Sequence, residues 1–297
     1  MTAVATIRLG TRGSRLALAQ AAIAAEALAP LLGPAETVPI STRGDAISAR
    51  RPRGGWVETD GQFTAELEWA LLAGDVDLVV HSHKDLPTAP VDGLVIGAVL
   101  PRADARDCLI TRDGSTLADL PFGAWIGTSS PRRAAQLAVV RSDLVATPIR
   151  GNVETRLRRL EAGEFAAVIL AAAGLDRLGI PVADAARLPF DLMLPAPAQG
   201  ALALQVRADA SDLRATLARV EHGPTRVAVD AERALLRRLG GGCLAPLGAL
   251  GEVAGGELRL RAAFEDSDGA YHRAEASGPV AGAAAVVDAV ADRIRDA

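Results

Sequence analysis

Residues 77–85 decide the fold and have the sequence DLVVHSHKD. Leu78, Val79 and Val80 form an unbroken apolar run, which is typical of a strand covered on both faces in a parallel sheet. Polar and charged residues follow at once, from His81 to Asp85. Because open α/β sheets bind ligands at the carboxyl ends of their strands, this stretch predicts a strand of such a sheet with a candidate site at its end.

Short apolar runs alternate with helical patterns on both sides of this strand. Strands are predicted at 4–9, 37–42, 77–81 and 94–100, and helices at 16–31 and 64–73. The alternation then restarts, with strands at 108–111, 124–127, 144–149 and 166–172 and helices at 131–141 and 153–162. Such alternation is typical of doubly wound α/β units with largely parallel sheets. We therefore predict two α/β lobes.

The end of the chain follows a different pattern. A helix is predicted at 225–239, short strands at 248–253, 258–264 and 271–276, and a last helix that runs to 295. This grouping is typical of a small α+β domain. Before it, a return segment beginning at Pro195 leads to a strand at 201–206. We expect domain 1 to comprise 1–100 with the return segment 198–219, domain 2 to comprise 101–197, and domain 3 to comprise 220–297.

The composition excludes several classes of protein. The 297 residues carry a formal net charge of -4, and of the 32 basic residues 31 are arginine and one, Lys84, is lysine. Without a basic block, the chain has no footprint for nucleic acid. Cys108 and Cys243 lack the spacing of a disulfide framework or a zinc site. The N-terminus lacks a signal-peptide pattern, and Gln20 and Glu26 interrupt the apolar stretch 16–32, so we expect a cytoplasmic protein that does not enter a membrane.

Three turns between a strand and the following helix carry arginines. They contain Arg12 with Ser14, the run 127–133, and Arg150 with Arg156. The free N–H groups at a helix start bind anions, and guanidinium groups add charge to such a site. Since no glycine-rich nucleotide loop is present, we predict a ligand with several carboxylates. Ser14 can equally be no more than a helix cap.

The run 127–133 places two arginines in an unfavourable position. Three hydroxyl residues precede Pro131, which is typical of a capped helix start. Arg132 and Arg133 then fall within the first turn, where the helix dipole disfavours cations. This placement indicates a bound anion, although a solvated arginine pair would give the same pattern.

The end of the strand 77–81 is open to several interpretations. A metal bound by His81 and His83 is disfavoured, because alternate strand residues point to opposite faces, and we predict no metal site. Lys84 and Asp85 fit acid–base work or charge stabilisation in a cleft, whereas a surface ion pair would not need the one lysine of the chain. Lysine can also form an imine, so an enzyme that uses a Lys84 Schiff base stays open.

Cys243 follows a run of three glycines, 240–242, between a predicted helix and a predicted strand. Glycines suit a tight turn in which the backbone takes a positive φ or approaches another group closely. A loop cysteine can act as a nucleophile when its surroundings lower the thiol pKa. It can equally be inert, and the pattern alone leaves both roles open.

Eight motifs of the chain, taken in order, resemble those of the porphobilinogen deaminase family, also called the hydroxymethylbilane synthases. They lie at 11–20, 41–45, 81–85, 127–133, 150–156, 173–179, 195–200 and 232–246. The resemblance implies three domains and a monomer. It also implies a transferase of tetrapyrrole biosynthesis, which joins four porphobilinogens head to tail with loss of ammonia and releases hydroxymethylbilane with water.

The resemblance further implies the residues of the site. The family builds its product on a dipyrromethane cofactor joined by a thioether to a loop cysteine, which matches Cys243, and its catalytic carboxylate matches Asp85. The residues that hold carboxylates of the cofactor and the substrate match Arg12, Ser14, Lys84, Thr128, Ser129, Ser130, Arg132, Arg133, Arg150 and Arg156. Positions near the substrate or closing the cleft match Gln20, Arg177 and Gln199. His83 matches a variable position and is assigned no role.

One departure and one rival remain. Residues 59–61 are Thr-Asp-Gly where the family often has glycine-lysine-glycine, so a basic contact from that loop would have to come from Arg50, Arg51 or Arg53. The rival is a non-catalytic polycarboxylate-binding protein, because two doubly wound α/β lobes that resemble those of periplasmic binding proteins can bind anions without catalysis. The loop cysteine and the lack of an export signal count against it.

Overall fold

The apolar run around Val79 forms strand β3 (Leu78–Ser82), which lies inside a five-stranded sheet. The other strands of this sheet are β1 (Ile7–Arg12), β2 (Ala35–Ile40), β4 (Leu94–Val99) and β9 (Leu202–Arg207). The order is β2-β1-β3-β9-β4, with β1 parallel to β2 and β3, and with β9 antiparallel to both of its neighbours. We call this sheet and its helices lobe 1. The computed structural model describes residues 6–42, 64–240 and 245–296.

Helix α1 (Arg15–Leu32) covers the sheet of lobe 1. Its length and its mean hydropathy of 1.4 would suffice for a membrane span by composition alone. Ala21, Ala24 and Leu28 are buried in one apolar cluster with residues of β1, β3 and β9. The remaining helices of lobe 1 are α2 (Ala65–Ala73) and α6 (Ser211–Leu217).

Lobe 2 is built on a four-stranded sheet. Its strands are β5 (Asp107–Thr111), β6 (Trp125–Gly127), β7 (Val145–Thr147) and β8 (Ala167–Ala171). The order is β5-β8-β6-β7, in which β6 is parallel to β7 and β8 while β5 runs antiparallel to β8. Its helices are α3 (Pro131–Val140), α4 (Val153–Glu161) and α5 (Ala172–Arg177).

The C-terminal unit combines an antiparallel sheet with two helices. The strands are β10 (Leu247–Ala254), β11 (Glu257–Glu265) and β12 (Tyr271–Pro279), in that order, and the helices are α7 (Gly223–Arg238) and α8 (Ala283–Arg295). Leu235, Leu260 and Val290 lie in its core and are 0% exposed. The predicted fold class, two α/β lobes with a small α+β unit, is thus confirmed.

The chain crosses between the lobes twice, and the two crossings touch. Ala103 N donates to Gly200 O at 3.2 Å. Gly200 has a φ of 88°, and a Cβ there would lie 2.6 Å from Ala103 O, so no larger residue fits this approach. On the second crossing, Gln199 hydrogen-bonds both Lys84, after the end of β3, and Asp107, the first residue of β5. The end of β3 and the start of β5 therefore lie together where the lobes meet, a place that we call the interlobe cleft. The residue boundaries predicted for the three domains stay a prediction.

Candidate active site

The 83–85 turn follows β3 directly and carries Lys84 and Asp85, the two charged residues that the sequence pattern predicts to lie in a cleft. His83–Asp85 forms one turn of 3₁₀ helix, and His83 N donates to Ala201 O at 3.1 Å. The His83 side chain is buried, whereas Lys84 and Asp85 are half-buried. The lysine and the carboxylate that follow the buried strand therefore lie in the interlobe cleft, where both side chains have limited contact with water.

Lys84 is tied to lobe 2 through Gln199. Lys84 Nζ donates to Gln199 Oε1 at 3.2 Å. The pKa of Lys84 is lowered to about 8, mainly by burial and also by the neighbouring cations Arg133 and Arg132, while the carboxylates of Asp85 and Asp107 act in the opposite direction. An ammonium with such a pKa keeps its proton at neutral pH and loses it as the pH rises through about 8.

Asp107, the first residue of β5, pairs with both arginines of α3. Its Oδ2 lies 2.8 Å from Arg132 Nη1, its Oδ1 lies 2.6 Å from Arg133 Nη2, and Gln199 Nε2 donates to Oδ1 at 2.9 Å. The Asp107 side chain is 0% exposed. Burial raises the pKa of this carboxyl, but the two guanidiniums outweigh burial and hold the pKa well below its usual range.

The pairing with Asp107 accounts for the unfavourable position of Arg132 and Arg133 in the first turn of α3. Arg132 Nη1 also donates to Leu194 O at 2.6 Å, and Arg133 Nη1 donates to Ile169 O at 2.7 Å. The anion that offsets their unfavourable place in the helix is therefore the carboxylate of Asp107. The helix dipole no longer requires a ligand, and contact of these arginines with a ligand stays a prediction. The Nε atoms of both are buried without a hydrogen-bond partner among the described residues.

The three hydroxyls before α3 hold their own loop together. Ser129 Oγ donates to Ile149 O at 2.6 Å and accepts from Ile149 N at 3.0 Å. Thr128 Oγ1 accepts from Ser130 N at 3.2 Å, and Ser130 caps α3 by accepting from Arg133 N at 3.4 Å. These contacts shape the helix start and leave contact with a ligand a prediction.

The residues predicted from lobe 1 lie at the start of α1. Arg12 is the last residue of β1 and is half-buried, and Ser14 caps α1 by accepting from Ala17 N at 3.3 Å. Gln20 is buried, and its Nε2 donates to Ser82 Oγ at 2.7 Å. Gln20 thus ties α1 to the end of β3.

The remaining predicted arginines come from lobe 2. Arg150 is half-buried and precedes Asn152, the cap of α4. Arg156 Nε donates to Gly151 O at 2.8 Å. Its pKa is lowered to about 10, mainly by burial and also by the cation Arg133, whereas the carboxylate of Asp85 acts in the opposite direction. Arg177 Nη2 donates to Gly200 O at 2.6 Å, and burial lowers its pKa to about 10.

The structure thus brings together most of the charged residues that the motifs predicted. We call the following set the cleft cluster: Lys84, Asp85, Asp107, Arg132, Arg133, Arg156 and Gln199. Its four cations exceed its two carboxylates, so it retains a positive charge toward an anionic ligand. Cys243 lies outside the described residues, as do the loop positions Arg50, Arg51, Arg53 and 59–61. Within the described ranges, no group of three or more His, Cys, Asp or Glu side chains could hold a metal ion.

Two buried carboxylates near the site, those of Asp107 and Glu232, are not among the site residues that the sequence predicts. Glu232 on α7 is 0% exposed and accepts from Arg102 Nη1, Ala198 N and Gly251 N, each at 2.6 Å. It therefore joins both interlobe crossings to the C-terminal unit. A charged residue at the head of the apolar strand 108–111 was the one local signal for Asp107, whereas Glu232 lies on a helix where charge is ordinary.

Comparison with known proteins gives consistent matches over nearly the whole chain. A family profile described as "Porphobilinogen deaminase, dipyromethane cofactor binding domain" matches residues 7–215, and one described as "Porphobilinogen deaminase, C-terminal domain" matches residues 227–296. The chain is 48% identical over 274 residues to the porphobilinogen deaminase of Desulforudis audaxviator, which covers 91% of this chain and 88% of that relative. It is 43% identical over 295 residues to the porphobilinogen deaminase of a Roseiflexus species, which covers 97% of this chain and 96% of that relative.

Among solved structures, the chain is similar to the BvgS VFT2 domain of Bordetella pertussis, with a TM-score of 0.41 and 15% identity over 72% of this chain and 86% of that chain. The family assignment does not depend on this overlap. It follows from the two profiles and the two relatives, which cover both lobes and the C-terminal unit. The chain belongs to the porphobilinogen deaminase family.

Proposed function

We propose that this chain joins four porphobilinogens head to tail, with loss of ammonia at each step, and releases hydroxymethylbilane with water. Membership of the family favours this transferase of tetrapyrrole biosynthesis over the non-catalytic polycarboxylate-binding protein. The observation that carries the proposal is the placement of half-buried Asp85 beside Lys84 and Arg156. A substrate with two carboxylates and one ammonium needs several cations and a carboxylate in one cleft.

The charges of the cleft cluster fit the dipyrromethane cofactor. Each of its rings carries an acetate and a propionate. The cluster offers an excess of cations, together with the buried Nε atoms of Arg132 and Arg133, which have no hydrogen-bond partner in the described part of the chain. When bound, the dipyrromethane supplies the pyrrole ring to which the first porphobilinogen is joined. We assign the thioether to Cys243. We assign the binding of the cofactor and substrate carboxylates to Lys84, Arg132, Arg133 and Arg156. Further contacts are assigned to Arg12, Ser14, Thr128, Ser129, Ser130 and Arg150.

Asp85 is the residue to which we assign the chemistry. As ammonia leaves porphobilinogen, positive charge develops on the pyrrole and its methylene carbon. A preorganised carboxylate stabilises that charge far more strongly in a cleft with little water than in bulk solvent. The same carboxylate can accept a hydrogen bond from the ammonium of the incoming substrate. Both uses need the Asp85 side chain to be held at a fixed place, which the 83–85 turn provides.

Gln199 and Arg177 act on the interlobe crossings in this proposal. Gln199 bridges Lys84 of lobe 1 and Asp107 of lobe 2, at 3.2 and 2.9 Å. Arg177 holds the second crossing through Gly200 O. Their hydrogen bonds support a role in setting the opening of the cleft, together with Gln20 beneath the end of β3.

We also propose a cytoplasmic monomer that binds neither nucleic acid nor a membrane. The net charge of -4 and the lack of a basic block in the sequence support the proposal that it does not bind nucleic acid. The monomer rests on the family resemblance alone, and membership of the family supports the cytoplasmic compartment.

The intact mass of the purified protein tests the proposed function. Wild-type protein from cells that make porphobilinogen is expected to carry the extra mass of two pyrrole units, and Cys243→Ser is expected to carry none. Cys108→Ser is the matched control, because Cys108 is 0% exposed and burial raises its thiol pKa to about 11, so this thiol is unreactive. An unmodified wild-type chain would overturn the proposal. An enzyme that forms an imine at Lys84 would instead tolerate Cys243→Ser and be trapped by borohydride with substrate.

A further inference from the structure

One arginine of the C-terminal unit reaches into lobe 1 and holds the backbone beside the 83–85 turn. Arg233, on α7, donates from Nη1 to Leu86 O at 2.9 Å and to His83 O at 3.3 Å. Its Nη2 donates to Pro87 O at 2.7 Å. Three carbonyl oxygens within five residues therefore converge on one guanidinium, which is half-buried.

The turn needs such a partner. A single turn of 3₁₀ helix makes few hydrogen bonds of its own, and here Leu86 N reaches His83 O only at 3.4 Å. The carbonyls at the end of a helical turn point away from it and need donors from elsewhere. A planar guanidinium holds its donors in a rigid fork and can satisfy several of these carbonyls in one fixed geometry.

The two ends of the turn are thus held by different parts of the molecule. His83 N is fixed by Ala201 O of the return segment, and the far end is fixed by Arg233. Lys84 and Asp85 lie between these anchors. The helix that carries Arg233 ends at Arg238, five positions before Cys243 in the sequence.

We propose that Arg233 is a positioning residue, which fixes the turn bearing Lys84 and Asp85 against α7, the helix that precedes the cofactor cysteine. This inference rests on the proposed function for its effect on catalysis. Arg233 holds the turn through three backbone carbonyls, so its loss should displace Asp85 while the arginines of the cleft cluster stay in place to bind carboxylates. A displacement of about 1 Å at a catalytic group can slow the chemical step by about 100-fold.

The test compares two arginines of the same helix. Arg233→Met removes the fork that holds the turn. Arg226→Met is the matched control, because Arg226 also joins α7 to lobe 1, by donating to Ile96 O at 3.0 Å, and pairs with Glu221 at 2.8 Å, yet does not touch the turn. Both variants should lose similar thermal stability. We expect Arg233→Met to lose about 10- to 100-fold in kcat with KM changed less than about threefold, and Arg226→Met to keep kcat within about twofold.

A second measurement reads the turn without using activity. Lys84 is the one lysine of the chain, so protein labelled in the lysine side chain gives a single NMR signal from the turn. We expect the midpoint of its pH titration to be the same in wild type and Arg226→Met and to move toward 10.5 in Arg233→Met, as Lys84 leaves its buried place. Arg233→Lys, which keeps the charge but not the fork, serves if the methionine variant does not fold, and is expected to shift the midpoint in the same direction.

The outcomes separate the two proposals. An unshifted lysine signal in both Arg233 variants, or equal losses of kcat in Arg233→Met and Arg226→Met, would overturn the positioning role. If wild-type protein carries no dipyrromethane mass, the proposed function fails. The lysine signal still decides whether Arg233 holds the turn.

Discussion

Replacing Asp107 with asparagine tests how lobe 2 holds its two buried arginines. The carboxylate is 0% exposed and lies 2.8 Å from Arg132 Nη1 and 2.6 Å from Arg133 Nη2. Asparagine keeps the size and one acceptor oxygen but removes the charge, so two guanidiniums stay buried without their counterion. Since removing one partner of a buried ion pair costs about 3–5 kcal/mol, we expect the free energy of unfolding to fall by about that amount.

Urea unfolding at neutral pH measures this loss. Asp143→Asn is the matched control, because Asp143 pairs with Arg141 at the same short distance, 2.7 Å, but both side chains keep contact with solvent. An exposed pair contributes about 1 kcal/mol or less, so the control should lose little. If Asp107→Asn loses no more than Asp143→Asn, Asp107 is not the counterion of the buried arginines and the reasoning fails.

The pH dependence of this loss has a definite sign. The guanidiniums hold the pKa of Asp107 well below its ordinary 3.8, so the unfolded chain binds this proton more readily than the folded chain. The contribution of Asp107 is therefore complete above about pH 4 and is lost as the pH falls toward the lower folded value. The difference between wild type and Asp107→Asn should stay constant from about pH 8 to about pH 5 and shrink in acid.

Two further predictions concern the 83–85 turn. The side-chain NMR signal of Lys84 is expected to titrate with a pKa of about 8, and KM for porphobilinogen should rise above that pH, because the ammonium loses its proton. A midpoint at the ordinary 10.5 would contradict the burial argument. Asp85→Asn is expected to keep the dipyrromethane mass while turning over about 10²- to 10⁴-fold more slowly. Near-normal turnover would remove Asp85 from the chemistry.

Most helices and strands of the fold could be predicted from local sequence patterns. The helix predicted at 16–31 is α1 (Arg15–Leu32), because the segment has a helical apolar pattern. The strand predicted at 77–81 is β3 (Leu78–Ser82), because its unbroken apolar run is typical of a strand covered on both faces. Short α5 and α6 were not predicted, since a helix of six or seven residues gives too few turns for a period to show. The place of β9 between β3 and β4 is a long-range pairing, which no local pattern contains.

The candidate site was harder to predict for the same reason. Lys84, Arg132 and Arg133 stand out in the sequence because each is unusual where it occurs. Asp107 does not, since its significance comes from Arg133, 26 residues away along the chain. Without that carboxylate, the arginines in the first turn of α3 pointed to an external anion, and the structure places the anion inside the protein.

Gln199 explains why position 84 holds lysine and not arginine. Gln199 Nε2 donates to the carboxylate of Asp107 at 2.9 Å, so the amide orientation is fixed and its Oε1 faces Lys84 Nζ, 3.2 Å away. That single oxygen can accept from a compact ammonium, which has three donors and keeps others for a ligand carboxylate. A guanidinium would bring five donors in a rigid fork to a place already lined by two buried guanidiniums. All the other basic positions of this chain are arginine. Position 84 is lysine because its neighbours accommodate a compact ammonium but not a forked guanidinium.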